Sequence, residues 1–145
     1  MVQFSNNIFR IMNMSKHIQN NIQGLADLFQ VLGQPSRLQI LINIGSGEIC
    51  VCHLEALLGE RQAYISQELM MLKDAGLVDC RRSGRNIYYR LENPKLLEQI
   101  QMFAQQYNQK IPEPKTGPIH DCSCPQCNPG AKDCLPEPCG ELNEE

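Results

Sequence analysis

The chain has 145 residues, with 13 Lys+Arg against 16 Asp+Glu and a formal net charge of −3, which suits one domain of ordinary size plus an appendage. No stretch approaches the roughly 18–20 apolar residues of a helical membrane span. The polar, Asn/Gln-rich residues 1–21 lack the basic and apolar regions of a signal peptide, so a cytoplasmic protein is expected.

Residues 1–17 read as a flexible arm and residues 18–110 as one domain. Ile18, Ile22, Leu25, Leu28, Phe29 and Leu32 recur at three- and four-residue spacing and predict an amphipathic helix that stops at Gly33. Pro35 opens a second helix with Leu38, Leu41 and Ile44 on one side, closed by Gly45-Ser46-Gly47. A short third helix is predicted from Cys50 to Leu58, with Val51, Leu54 and Leu58 inward, and a fourth from Arg61 to Ala75, with Ile65, Leu69 and Leu72 inward and Gly76 as a left-handed C-cap. The pattern then changes to period two. Val78 and Cys80, then Ile87, Tyr89 and Leu91, flank the turn Arg82-Ser83-Gly84-Arg85 and predict a two-stranded hairpin. Asn93-Pro94 starts a fifth helix through Leu96 or Leu97, Ile100, Phe103 or Ala104, and Tyr107. The predicted fold is mainly α with a small β-hairpin wing, a winged helix-turn-helix.

Composition changes after Lys110. Residues 111–145 hold seven of the nine prolines and five of the eight cysteines. Such a segment cannot build a core and is expected to be a flexible Cys/Pro-rich metal-binding tail. It also holds 2 Lys+Arg against 7 Asp+Glu, whereas residues 1–110 hold 11 against 9. The acidic balance of the whole chain therefore does not exclude a nucleic-acid surface on the domain.

A helix-turn-helix sets its second helix in the major groove. On the outward face of the fourth helix stand Gln62, Ala63, Ser66, Gln67 and Met70, with Tyr64 at the flank. Gln and Ser can hydrogen-bond bases or phosphates, whereas a merely solvated face more often carries Glu and Lys. The hairpin adds Arg81, Arg82, Arg85 and Asn86, a set suited to phosphates or the minor groove. Either feature alone is common on any surface; both in this order and spacing favour double-stranded DNA as a partner.

Three segments carry a family resemblance: Leu32-Gly33-Gln34-Pro35-Ser36-Arg37-Leu38-Gln39-Ile40-Leu41, then Ile65 to Val78, then Gly84-Arg85-Asn86-Ile87-Tyr88-Tyr89-Arg90-Leu91. Together they resemble the ArsR/SmtB family of metal-responsive repressors over about residues 18 to 108. The resemblance implies a homodimer on a palindromic operator, released by a metal or metalloid, with dimerisation through the first and last helices. Two positions depart from the family pattern. Glu68 stands where the family often has His, and Arg61 near where it often has Ser. An acid near phosphates weakens binding, so Glu68 is expected to lie along the protein surface or to pair with a cation.

Glu48-Ile49-Cys50-Val51-Cys52-His53-Leu54 is similar to the family's metal box, Glu-Leu-Cys-Val-Cys-Asp-Leu. Residues two apart in a helix diverge by about 200°, so one ion can hold both Cys50 and Cys52 only if the first turn is distorted. Binding and distortion become one event. Thiolates select soft ions; the resemblance to arsenite responders puts As(III) or Sb(III) first as inducer, with Cd(II), Pb(II) or Zn(II) next. Two sulfurs are too few for tight binding, and Glu55 stands where some family members have a third Cys. Cys122, Cys124 and Cys127 of the tail have chelating spacing and are candidates to complete the site. A tail that forms an independent metal cluster stays open.

For each residue a plainer role competes. Cys50 and Cys52 could be packed core thiols; Cys80 alternates with strand residues and reads as core. His53 reads as a helix-surface residue before a ligand, His120 as a weak zinc candidate and His17 as exposed. The fifth helix lacks His, which argues against the family's zinc site on the dimer helices. A redox-sensing regulator using a tail partner for the thiols, and a metal-buffering protein outside the regulator class, are the other functions weighed. No nucleophile–base pair, phosphate loop or paired carboxylates point to an enzyme.

Overall fold

A computed structural model describes residues 22–115, in the order α1 (Ile22–Leu32), α2 (Pro35–Ile44), β1 (Glu48–Cys50), α3 (Val51–Leu58), α4 (Gln62–Asp74), β2 (Val78–Ser83), β3 (Asn86–Leu91) and α5 (Leu96–Gln106). Ile18, the N-terminal arm, and Cys122, Cys124 and Cys127 of the tail lie outside the described residues.

Local chemistry sets most boundaries. Gln34 is extended and Pro35 takes the first turn of α2, where a missing N–H costs nothing and the fixed φ already suits a helix. Helix α4 closes as the sequence predicts: Gly76 has φ +72°, and the Leu77 N–H reaches back to the Leu72 carbonyl at 2.9 Å. Only a residue without Cβ adopts that left-handed turn cheaply.

The hairpin is part of a larger sheet than the sequence predicts. Strand β1 adds to it, giving three antiparallel strands in the order β1-β3-β2. Glu48 faces Arg90, Ile49 faces Tyr89 and Cys50 faces Tyr88; on the other side of β3, Cys80 faces Tyr89 and Arg81 faces Tyr88. Three residues are too few to show an alternating pattern, and β1 is held by a partner some 40 residues away. Cys50 therefore ends a strand, and α3 begins at Val51, one residue later than the periodicity predicts.

The core lies between α2, α3, α4 and the sheet. Ile40, Leu41, Leu54, Ile65, Leu69 and Leu72 are fully enclosed, and Cys80 is 0% exposed among them, as its strand alternation predicts. Helices α1 and α5 are different. No residue of α5 is buried, although Leu96, Leu97 and Ile100 touch the core. Ile22, Leu25, Phe29, Met102, Phe103 and Tyr107 are exposed. The rings of Phe29 and Phe103 lie 6.4 Å apart and those of Phe103 and Tyr107 4.9 Å apart, an aromatic cluster on the surface.

Candidate DNA interface and thiol site

Helix α4 presents Ala63, Gln67 and Met70 to solvent, with Gln62, Tyr64 and Ser66 half-buried. The inward residues Ile65, Leu69 and Leu72 seat it on the core. Ser66 Oγ is enclosed without a hydrogen-bond partner among the described residues. The Tyr64 hydroxyl donates to Ser36 Oγ at 3.0 Å, so this side chain leans toward α2. Glu68 is turned inward: it is 7% exposed, and its Oε2 accepts from Arg37 Nε at 2.9 Å and from Ser36 Oγ at 3.1 Å. Of the two orientations expected for Glu68, the pairing with a cation is the one adopted.

The wing's four polar residues have different surroundings. Arg82 and Arg85 are exposed and take part in none of the ion pairs among the described residues. Asn86 is only 3% exposed. It stands opposite Ser83 where the turn closes, and its burial there does not match the phosphate-contacting role expected of it beside Arg82 and Arg85. Arg81 is exposed but occupied. Its Nε lies 2.8 Å from both carboxylate oxygens of Glu48, its Nη2 2.6 Å from Oε2, and its guanidinium 5.1 Å above the Tyr88 ring. That hydrogen bonding holds the Glu48 carboxyl below its ordinary value and raises Arg81.

The thiol site is built where β1 becomes α3. Cys50 is extended (φ −88°, ψ 162°), 2% exposed, and its Sγ accepts from the His53 N–H at 3.4 Å. It is at once the last residue of β1 and the N-cap of α3. A ligand drawn to this sulfur competes with the cap, which is the physical link between thiol chemistry and helix geometry. Burial lowers the His53 pKa, which favours the neutral imidazole. Cys52, one residue into α3, is half-buried. Cys52 and Cys80 are both disulfide-bonded in this structure, so Cys52 offers a thiolate only after reduction. Lys73 of α4 donates from Nζ to Cys80 Sγ at 3.3 Å.

Among the described residues no three His, Cys, Asp or Glu side chains come together as a metal cage. The path of the chain after α5 bears on where a third donor could come from. The Lys115 N–H donates to Asn43 Oδ1 at 3.0 Å, and its Nζ donates to the Leu57 carbonyl at 2.8 Å. The segment leading to the tail is thus pinned to the ends of α2 and α3, the latter being the helix that carries Cys52. Only a side-chain docking contact of this kind reveals it; nothing in the composition of Pro112-Glu113-Pro114-Lys115 signals it.

A profile of the bacterial regulatory proteins of the arsR family matches residues 34–79, from the cap of α2 into β2 and including both Cys50 and α4. The chain is 40% identical over 77 residues to the biofilm growth-associated repressor of Agrobacterium fabrum (strain C58 / ATCC 33970), covering 53% of this chain and 66% of that protein. It is 41% identical over 71 residues to the arsenic resistance transcriptional regulator ArsR2 of Pseudomonas putida, covering 48% and 61%. Among solved structures, the transcriptional repressor BigR from Xylella fastidiosa superposes with a TM-score of 0.53 at 30% identity, over 59% of this chain and 87% of that one. The chain spans about half to two thirds of the length of the curated relatives it matches. Helix order, the buried face of α4, the winged sheet and these likenesses agree: the chain belongs to the arsR family of bacterial regulatory proteins.

Proposed function

We propose that this protein is a transcriptional repressor that binds operator DNA as a homodimer and releases it when As(III) or Sb(III) is captured by Cys50 and Cys52. Cys122, Cys124 or Cys127 supplies the further sulfur. The observation that carries the reading is the position of Cys50, strand end and helix cap in one residue. An ion that takes its sulfur removes the cap of α3 and pulls on β1, and α3 packs directly against α4. The exposed faces of Ala63, Gln67, Arg82 and Arg85 support DNA contact; Gln62, Tyr64, Ser66, Arg81 and Asn86 belong to the same surface with the restraints described above. Exposure of Phe29, Phe103 and Tyr107 supports a partner subunit on α1 and α5. The pinned Lys115 supports delivery of tail sulfurs toward α3. Arsenic resistance in one relative and biofilm growth in another leave the inducer to the chemistry, and soft thiolates fit As(III) and Sb(III) first, then Cd(II), Pb(II) and Zn(II).

The test is operator binding by gel shift after reduction with a phosphine, with each of these five ions, for the wild type and for Cys50→Ser/Cys52→Ser. Release of the wild type by As(III) or Sb(III) and retention by the double variant is the expected pattern. Normal release of the double variant defeats the thiol mechanism.

The disulfide-bonded state of Cys52 and Cys80 favours a second reading, a thiol redox sensor. Two thiols would then lose two electrons and two protons to a disulfide oxidant such as oxidised glutathione, which leaves as two thiols. That reading requires oxidant alone to change operator affinity and reductant to restore it, with no ion present.

A further inference from the structure

Directly opposed residues of neighbouring strands share a face, as do residues two apart along a strand. The register therefore places Glu48, Arg90 and Asp79 in one row across the sheet and Cys50, Tyr88 and Arg81 in the next, on the face opposite Ile49, Tyr89 and Cys80. This outer face holds two acids and two bases, and they pair: Arg81 with Glu48 at 2.6 Å and Arg90 with Asp79 at 3.1 Å. Four charges sum to zero. Arg82 and Arg85 lie outside the set.

We propose that Glu48 withholds Arg81 from DNA, so that the wing's phosphate-binding charge is carried by Arg82 and Arg85 alone, and Glu48 sets the operator affinity of the repressor. The contact has the properties this needs. Glu48 meets the guanidinium through three short donor–acceptor distances, and the Tyr88 ring, itself 6% exposed, backs the cation from the other side. The Glu48 side chain is only 23% exposed. If Arg81 turned to a phosphate, the Glu48 carboxylate would be left without its cation beside a polyanion, an arrangement of like charges that opposes the exchange. An exposed ion pair of this kind adds little to folding, so its removal is expected to act on binding and leave the fold intact.

The inference is read from the salt dependence of binding, because each phosphate neutralised steepens the slope of log Kobs against log [salt] by about 0.9. The experiment uses the full-length, reduced protein and a fixed operator duplex. Arg82→Gln and Arg85→Gln are each expected to flatten the slope by about 0.9, whereas Arg81→Gln leaves the slope at the wild-type level and lowers affinity only through the bare Glu48 carboxylate it leaves beside the DNA. Glu48→Gln is expected to raise affinity about tenfold near 0.1 M salt and to steepen the slope by about 0.9. In Glu48→Gln/Arg81→Gln that gain disappears. Persistence of the gain in the double variant would show that Glu48 merely repels DNA, and flattening by Arg81→Gln alone would show that Arg81 already contacts phosphate. Either result overturns the proposal, as does weaker binding by Glu48→Gln at an unchanged slope. Circular dichroism of each variant separates these readouts from loss of fold.

Discussion

Arg37 and Glu68 form an ion pair at 2.9 Å between the first turn of α2 and the middle of α4, with side-chain exposures of only 13% and 10%. Arg37 also donates from Nη1 to the Val31 carbonyl at 3.0 Å, and Ser36 donates to the same Glu68 oxygen and accepts from Tyr64. One carboxylate thus ties the end of α1 and the start of α2 to α4, the helix proposed to carry the DNA face. Breaking such a pair leaves one buried charge uncompensated, and Glu68→Ala is expected to cost about 3 kcal/mol or more. Arg37→Met/Glu68→Met, which removes both charges and keeps volume, should recover most of that loss. Urea denaturation of the three proteins checks this; a Glu68→Ala loss below about 1 kcal/mol contradicts the role given to the pair.

Replacing Cys50 by Ser should preserve the helix. Its sulfur accepts the His53 N–H from an extended residue, which is the N-cap geometry that a Ser hydroxyl satisfies well, while Ala has no acceptor. Under reducing conditions Cys50→Ser is expected to be more stable than Cys50→Ala by about 1 kcal/mol in urea. The serine variant is then the proper probe of thiol chemistry, since loss of its ion response cannot be blamed on a lost cap. Equal stability of the two variants would remove the cap from the account.

The helical frame was legible because each long helix carries its own period, as in Ile65, Leu69 and Leu72, and its own stop, as at Gly76. The enclosed position of Cys80 followed from alternation with its strand neighbours. What escaped was non-local. Strand β1 is only Glu48–Cys50 and is stabilised by β3, so no local pattern announces it. For the same reason the opposition of Glu48 to Arg81 was invisible, and Arg81 read as a plain phosphate ligand beside Arg82. The burial of Asn86 came from closure of the turn around it. Glu68 was recognised as out of place on a DNA face, but only the packing of α2 against α4 identifies Arg37 as its partner.

The surface cluster of Phe29, Phe103 and Tyr107 predicts self-association. These rings, with Ile22, Leu25 and Met102, are apolar side chains of α1 and α5 left exposed among the described residues. Phe103→Glu places a charge among them without touching the core, because α5 has no buried residue. Sedimentation velocity should show a dimer for the wild type and a monomer for the variant, with operator affinity lowered by at least tenfold because half-site spacing is no longer enforced. A dimeric Phe103→Glu would place the interface elsewhere.

Two carboxylates should give opposite pH signatures. Burial raises Asp74 above its ordinary 3.8, with Lys73 partly offsetting the shift, and Asp74 is the last residue of α4, where a negative charge meets the negative end of the helix dipole. A carboxyl raised in the folded state binds its proton more readily there than in the unfolded chain. The ionised form therefore destabilises the fold at neutral pH, and the penalty fades as pH falls through the folded value. Asp74→Asn should stabilise the protein by about 0.5 kcal/mol at pH 7, with the difference shrinking toward pH 4 and below. Glu48 is shifted the other way by its hydrogen bonds from Arg81. Its stabilisation is present above the ordinary Glu range and is lost as pH falls through its lowered folded value, so Glu48→Gln should show its small deficit at pH 7 and none in acid. Urea midpoints measured from pH 7 down to pH 3 compare the two variants directly. A gain for Asp74→Asn that grows on acidification would reverse the assigned sign and remove burial as the cause.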